Sequence, residues 1–210
     1  MGQIYEELLR RFSEMSNETA GDHYTPREVI RLMVNLLLAE HKESLQGKGI
    51  IRSVYDPAGG TGGMVINAKD HIQSQINPDV EIVMYAQELN AQTYAIAKSD
   101  VLIMGENAEN VRLGNSFTDD RFPGMTFDLM LSNPPFGVSW KKEQRFIKQE
   151  ATDPYGRFHA GLPRVSNGSL LFLQHMLAKM NPRGSRIAII FNGSPLFTGD
   201  AGSGESDIRK

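Results

Sequence analysis

Four consecutive residues, Asn133-Pro134-Pro135-Phe136, are of a kind that can hold and orient an amino group. Two successive prolines remove two backbone donors and fix an extended path, which leaves carbonyls pointing outward. The Asn side-chain oxygen and an adjacent backbone carbonyl can then accept both hydrogens of one exocyclic amine. The aromatic ring that follows can stack on the base carrying that amine. The plainer alternative is that Pro-Pro only ends a strand and Phe136 packs in the core.

Upstream lies Asp56-Pro57-Ala58-Gly59-Gly60-Thr61-Gly62-Gly63. Such a run lets the backbone turn tightly and approach a ligand with no Cβ in the way, while the following helix offers free N–H groups to an anionic end. A dinucleotide fingerprint requires G-x-G-x-x-G; Gly60 and Gly62 supply the first two glycines, but Val65 stands in place of the third. This argues against a nicotinamide reading. Glu88 can accept hydrogen bonds from both hydroxyls of a ribose, or be an ordinary strand-end carboxylate. Asn115 can read an adenine edge through its amide, or serve the Gly-Asn-Ser turn in which it sits.

Hydrophobic periodicity supplies the elements that must position these residues. Strands are expected at 50–55, 81–87, 110–113, 127–131 and 186–191, and helices at 62–74, 90–104 and 169–180. Thr25-Pro26-Arg27-Glu28 reads as a helix start, with Thr25 capping, Pro26 at the first helical position and Glu28 completing a capping box; this helix runs to about Ala39. Ile4, Leu8, Leu9, Phe12 and Met15 mark an amphipathic helix before it. Alternating strands and helices, several strands apolar on both faces, indicate an α/β fold with a doubly wound, mostly parallel sheet. Ligands of such a sheet bind at the strands' carboxyl ends, which selects Asp56, Glu88, Gly114-Asn115, Asn133 and Asn192 independently of any family. The segment 137–167 is expected to be a mobile, DNA-facing loop carrying Lys141, Lys142, Arg145, Lys148, Arg157 and Arg164 around Trp140, or else an ordinary solvated loop. The stretch 199–206 reads as a flexible surface loop.

Composition bounds the reading. The chain has 210 residues, 40% hydrophobic and 22% charged, enough for one domain with a sizeable core. It has no signal-peptide pattern and no 18-residue apolar run, so a cytoplasmic location and no membrane contact are expected. The absence of cysteine excludes thiol catalysis and disulfides. His23, His41, His71, His159 and His175 show no metal-ligand spacing, so no metal is expected. A net charge of −3 is not that of a protein that grips nucleic acid unaided.

Taken in order, Tyr24-Thr25-Pro26-Arg27, the Asp56–Gly63 turn, Gln87-Glu88, Gly114-Asn115-Ser116 and Asn133-Pro134-Pro135-Phe136-Gly137 resemble the gamma-type N6-adenine DNA methyltransferases, above all the modification (M) subunit of type I restriction-modification systems. Pro195-Leu196-Phe197 and Asp207-Ile208-Arg209 resemble the segment after that family's fifth shared strand. The resemblance covers roughly 20–210. It implies the Rossmann-like fold of S-adenosylmethionine-dependent methyltransferases, with 1–20 an N-terminal helix belonging to a further helical region and 21–210 a catalytic domain cut short at its C-terminal end. The cofactor contacts it implies are Asp22, His23, Tyr24, Thr25, Pro26 and Arg27, with Asp56, Gly60, Thr61, Gly62, Gly63, Glu88 and Asn115; Asn133, Pro134, Pro135 and Phe136 are its catalytic segment. The implied activity is transfer of the methyl group of S-adenosyl-L-methionine to a flipped adenine. The implied partners are DNA, a specificity (S) subunit, a second M subunit and a restriction (R) subunit. Gly59 stands where the family has Cys or Ala, a change expected to matter little.

Three other readings compete. A methyltransferase acting on a protein glutamine or an RNA base uses a similar Asn-Pro-Pro-aromatic segment. An assembly module, inactive without its specificity subunit, fits the acidic charge. A nicotinamide oxidoreductase is disfavoured by Val65.

Overall fold

The computed structural model describes residues 25–39, 42–193, 195, 197 and 199–210. The expected helix at Ile4–Met15 and the candidates Asp22, His23 and Tyr24 lie outside the described residues. In chain order the elements are α1 (Arg27–Leu38), β1 (Ile51–Asp56), α2 (Gly63–Gln75), β2 (Glu81–Glu88), α3 (Ala91–Ile103), β3 (Val111–Leu113), β4 (Leu129–Ser132), α4 (Gln144–Ala151), α5 (Ser169–Leu177), β5 (Arg186–Ile189) and α6 (Gly204–Ile208).

The five strands form one parallel sheet in the order β3-β2-β1-β4-β5. The order reverses between β1 and β4, where the backbone ladder is short: Val54 pairs with Leu129 and Tyr55 with Met130. Side chains complete this seam at both ends. The Asp128 carboxylate accepts from the Ser53 N–H and hydroxyl at 2.9 and 3.0 Å, and the Ser132 hydroxyl donates to Asp56 Oδ1 at 2.7 Å.

Strand alternation sends Val54, Ile82, Met84, Ala86, Leu129 and Leu131 into a core shared with α1, α2 and α3. The opposite face carries Tyr55, Tyr85, Met130, Ile187 and Ile189, packed with Phe122, Phe127 and Met176 of α5. Tyr55 stacks on Phe127 with ring centroids 4.3 Å apart and meets Phe122 edge-on. Both faces are therefore dry, which is why these strands read as apolar runs.

Three local expectations are corrected. The start of α1 lies one residue later than the capping box requires: Pro26 is the N-cap, with φ −54° and ψ 139°, and its carbonyl accepts from Val29 and Ile30 N–H. Thr25 thus lies one residue before the N-cap, and its hydroxyl accepts from the Asn133 amide instead. The fourth strand begins at Leu129, Phe127 forming a separate bridge with Met180, which also ends α5 before Met180. The tail is not a bare loop, since α6 buries Glu205 against the N–H of Arg164 at 2.8 Å.

The segment 137–167 departs most from expectation. It contains α4 and its own core, in which Trp140, Ile147 and Phe158 pack with Phe117 and Leu171. Arg157 is not a solvated cation. Its Nε and Nη2 bind both oxygens of Glu150 at 2.7 Å, Nη1 and Nη2 donate to the carbonyls of Ser116 and Phe117 at 2.7 Å, and Nη1 meets His175 Nδ1 at 2.8 Å. All five guanidinium donors are thus used. Arg can only donate, so His175 accepts at Nδ1, carries its proton on Nε2 and donates to the Tyr55 hydroxyl oxygen at 3.0 Å. Burial first, then the neighbouring Arg157 and Lys179 charges, lower its pKa to about 3, so it is neutral.

Removing this guanidinium strands the largely buried Glu150 carboxylate and two carbonyls. Arg157→Leu is expected to lose about 3 kcal/mol of unfolding free energy in urea titrations. Arg157→Lys should recover less than half, because one ammonium cannot reproduce the planar fork; full recovery by Lys would show that charge alone matters there.

Candidate active site

Of the residues singled out at the strand ends, Asp56 and Asn133 flank the reversal between β1 and β4. Asp56 closes β1 and is 2% exposed, its carboxylate turned into the protein rather than toward a ligand. Its Oδ1 accepts from Ala58 N–H at 2.9 Å, which begins the glycine turn, and from Ser132, the residue before Asn133. One buried carboxylate therefore sets both the turn after β1 and the segment after β4. Burial raises its pKa to about 7, the hydrogen bonds from Ala58 and Ser132 oppose that rise, and the Glu88 charge adds to it.

Within the turn the glycines serve different ends. Gly60 and Gly62 have φ of 52° and 83°, which L side chains adopt at a cost. Gly59 is there for packing: a Cβ would lie 2.9 Å from Ala86 Cβ on β2, while its N–H donates to the Gln87 carbonyl at 2.9 Å. The expectation that a glycine at this position matters little is thus corrected. Gly63 faces open space, with nothing nearer than Asn67 at 4.0 Å, and it opens α2, whose first-turn N–H groups have no intrahelical acceptors. Thr61 between them is half-buried. Glu88, half-buried at the end of β2, receives Gly60 N–H on Oε2 at 2.7 Å and Asn90 N–H on Oε1 at 2.6 Å. Each oxygen keeps a further lone pair, so the carboxylate is held rigid with acceptor capacity for two hydroxyls.

Asn115 follows β3, and its side chain already serves its own turn. Oδ1 accepts from Phe117 N–H at 2.9 Å and Nδ2 donates to Glu143 at 3.2 Å. Beside it the Ser116 hydroxyl donates to the Pro57 carbonyl at 2.5 Å, which ties the β3 turn to the glycine turn. Asn192 is elsewhere: it lines a separate cleft beyond β5 with Asn167, Ser169 and Glu205.

Past β4, Pro134 is buried, Pro135 exposed, and Phe136 39% exposed, so the ring is not a core residue. The Asn133 amide nitrogen donates to the Thr25 hydroxyl at 3.1 Å. Its Oδ1 is buried and has no partner among the described residues. An orphaned buried acceptor costs about 1–3 kcal/mol, and an incoming amino group would satisfy it. The Thr25 bond joins the segment before α1 to the catalytic candidate; Pro26 is exposed beside it and Arg27 half-buried.

Sequence reasoning missed several supporting residues. Ser132 gave no signal, because a serine closing a strand is commonplace. Gln87 is fully buried and braces the β3 loop through the Asp119 carbonyl and Arg121 N–H, at 2.8 and 3.0 Å. Arg157, Glu150 and His175 were hidden among ordinary charged positions.

Sheet order, glycine turn, strand-end carboxylate and Asn-Pro-Pro-Phe segment together define the class: a Rossmann-like domain with the fold of S-adenosylmethionine-dependent methyltransferases. The model of the N-6 DNA Methylase family matches residues 1–210, and the chain belongs to that family. It is 29% identical over 209 residues to the type I restriction enzyme MjaIX methylase subunit of Methanocaldococcus jannaschii, covering 100% of this chain and 35% of that protein. It is 28% identical to the HindI methylase subunit of Haemophilus influenzae, covering 100% and 43%. Among solved structures, the methyltransferase subunit of the type I restriction-modification system of Streptococcus thermophilus superposes with a TM-score of 0.73 at 27% identity, covering 98% of this chain and 41% of that one. The chain thus spans less than half the length of these relatives. Among the described residues no helix is long and apolar enough to cross a membrane.

Between the ordinary Asp value of 3.8 and about 7, the unfolded chain has released the Asp56 proton while the folded chain retains it. Folding then takes up a proton, so this group's contribution falls as pH rises through that window and is constant above it. Asp56→Asn should therefore gain on the wild type by on the order of 3 kcal/mol between pH 4 and 8 in urea titrations; parallel pH profiles would place an ionised carboxylate in the fold. Gly59→Ala should cost about 1–3 kcal/mol, and adding Ala86→Gly should restore most of it, as read by thermal unfolding.

Proposed function

We propose that this chain is the catalytic core of a DNA adenine-N6 methyltransferase subunit of the type I restriction-modification kind. The observation that carries it is the buried Oδ1 of Asn133, without a partner among the described residues and fixed through the Thr25 bond beside the exposed Pro135-Phe136. S-adenosyl-L-methionine, when bound, supplies an electrophilic methyl group on a sulfonium. The residues that fit it are Glu88 for the ribose hydroxyls, and Gly60, Thr61, Gly62 and Gly63 with the α2 N-terminus for the anionic end. Asp22 to Arg27, supplied by family resemblance, complete the cofactor set.

Asn133 Oδ1 and the Pro134 carbonyl would accept the two hydrogens of the adenine amino group and hold its nitrogen in one orientation. The half-exposed Phe136 ring stacks on the flipped base. The bound cofactor would supply its methyl group to that nitrogen, and the proton displaced from the nitrogen would pass to solvent. No covalent nucleophile takes part, in keeping with a chain that has no cysteine. Specificity and restriction subunits, with a second methylase subunit, are the partners this reading entails; base reading then lies outside this core.

Calorimetric titration with S-adenosylmethionine should show Glu88→Ala weakening binding by tenfold or more (about 1.4 kcal/mol) and Asn133→Ala leaving it intact. Tritiated methyl transfer by the full-length subunit with its specificity partner should label adenine in duplex DNA and disappear in Asn133→Ala. Label in protein glutamine or RNA instead would replace this reading, and equal cofactor binding by both variants would move the site.

A further inference from the structure

The fold sorts the cations of the 137–167 segment into two groups. Arg157 is consumed by Glu150 and Arg164 lies against the buried Glu205, at 3.9 Å. Lys141, Lys142, Arg145 and Lys148 remain, all exposed and none in an ion pair among the described residues. The acids of the same helix point the other way. Glu143 binds the Asn115 amide and Glu150 binds Arg157.

At about 100° per residue, continuing the helical spacing back through the turn at 141–143 puts Lys148, Lys141, Arg145, Gln149, Lys142 and Phe146 on one arc of roughly 160°. Each of them is exposed. Glu150, Glu143, the fully buried Ile147 and half-buried Ala151 and Gln144 occupy the rest. A solvated face usually mixes both signs; this one carries four positive charges and no acid, on a chain whose net charge is −3.

The face is also held rigidly next to the catalytic segment. Lys141 follows Phe136 by five positions, at most about 18 Å of extended chain. Val138 and Trp140 are tied down by Gly168 N–H on the Val138 carbonyl at 3.1 Å and by Trp140 N–H on the Val165 carbonyl at 3.0 Å. Trp140 and Ile147 anchor the helix in the core beneath. Phe136, Val138 and Phe146 leave 39%, 51% and 44% of their surfaces exposed along the same path.

We propose that the outer face of α4 and the turn before it, through Lys141, Lys142, Arg145 and Lys148, grips the phosphate backbone of the duplex flanking the base held at Asn133. This rests on the reading that the substrate is adenine in DNA. It assigns to the core a sequence-independent grip, in which phosphates are bound for position without reading bases, and it locates that grip on a surface of four residues.

The test compares the wild type with the Lys141→Gln, Lys142→Gln, Arg145→Gln, Lys148→Gln combination, in the full-length subunit assembled with its specificity partner. Binding of a short mixed-sequence duplex is followed against salt, with S-adenosylmethionine titration and thermal midpoint alongside. Each neutralised phosphate contributes about 0.9 to the slope of log K against log salt. The combination should flatten that slope by about two to four, in proportion to the phosphates no longer neutralised, with cofactor affinity and midpoint unchanged; Arg145→Gln alone should flatten it by about one. A control, Lys48→Gln with Arg183→Gln, should leave it as in the wild type. An unaltered slope and affinity in the combination, with the wild type still methylating sheared unmethylated bacterial DNA, overturns the grip and leaves the methyltransferase reading standing. Failure of the combination to assemble with the specificity subunit, with DNA binding unchanged, overturns it in favour of a protein interface. A wild-type assembly that transfers no methyl group to that DNA removes the function and the grip together.

Discussion

The site depends on the seam between β1 and β4. Parallel neighbours in this sheet are elsewhere joined by longer ladders, but here only Val54–Leu129 and Tyr55–Met130 pair through the backbone. The remaining alignment comes from Ser53 with Asp128 at one end and Asp56 with Ser132 at the other. Because Asp56 also accepts from Ala58, the same carboxylate fixes the entry to the glycine turn and the last residue before Asn133. In open α/β sheets ligands bind where the strand order reverses, and here a short ladder clamped by side chains holds the two strands at that point in register. Burial of this carboxylate, only partly offset by the hydrogen bonds from Ala58 and Ser132, is the thermodynamic cost of the arrangement, seen in its raised pKa.

From the seam outward, polar contacts link what the sequence keeps far apart. Ser116 binds Pro57, Gln87 braces 119–121, and Arg157 draws Ser116, Phe117, Glu150 and His175 to one point. The segment between Asn133-Pro134-Pro135-Phe136 and α5 is in this way attached to the turn after β3 by directed bonds as well as by the Trp140–Phe158 core. A guanidinium with five satisfied donors ties the segment that carries α4 to the turn after β3, to which Glu143 is also bonded through Asn115.

The architecture was legible because its periods were strong. Continuous apolar runs ending in Asp56, Glu88 and Asn133, separated by helical spacing, fixed the parallel sheet and its functional edge with boundaries off by a residue or two. The Asn-Pro-Pro-Phe segment and glycine turn could be read as chemistry because proline and glycine act locally, through donors removed and φ values opened. Local rules also misled. Thr25 had every sequence mark of a capping residue, yet its hydroxyl is taken by a side chain 108 positions away. Segment 137–167 looked like a loop because its buried residues, Trp140, Ile147 and Phe158, are too widely spaced to show a period.

The sequence by itself determined the strand-helix alternation, the turn chemistry and the identity of the groups at the strand ends, since each depends on neighbours within a few residues. Only the tertiary structure decided which of those groups turn into the protein and which keep open hydrogen-bonding capacity. Asp56 turned inward, Gly59 proved to be a packing glycine, Arg157 left the solvent for a buried hub, and Asn133 was left with one amide atom bonded and the other without a partner among the described residues. A side chain's hydrogen-bond partner is set by contacts across the sheet, and those distances are not written in local spacing.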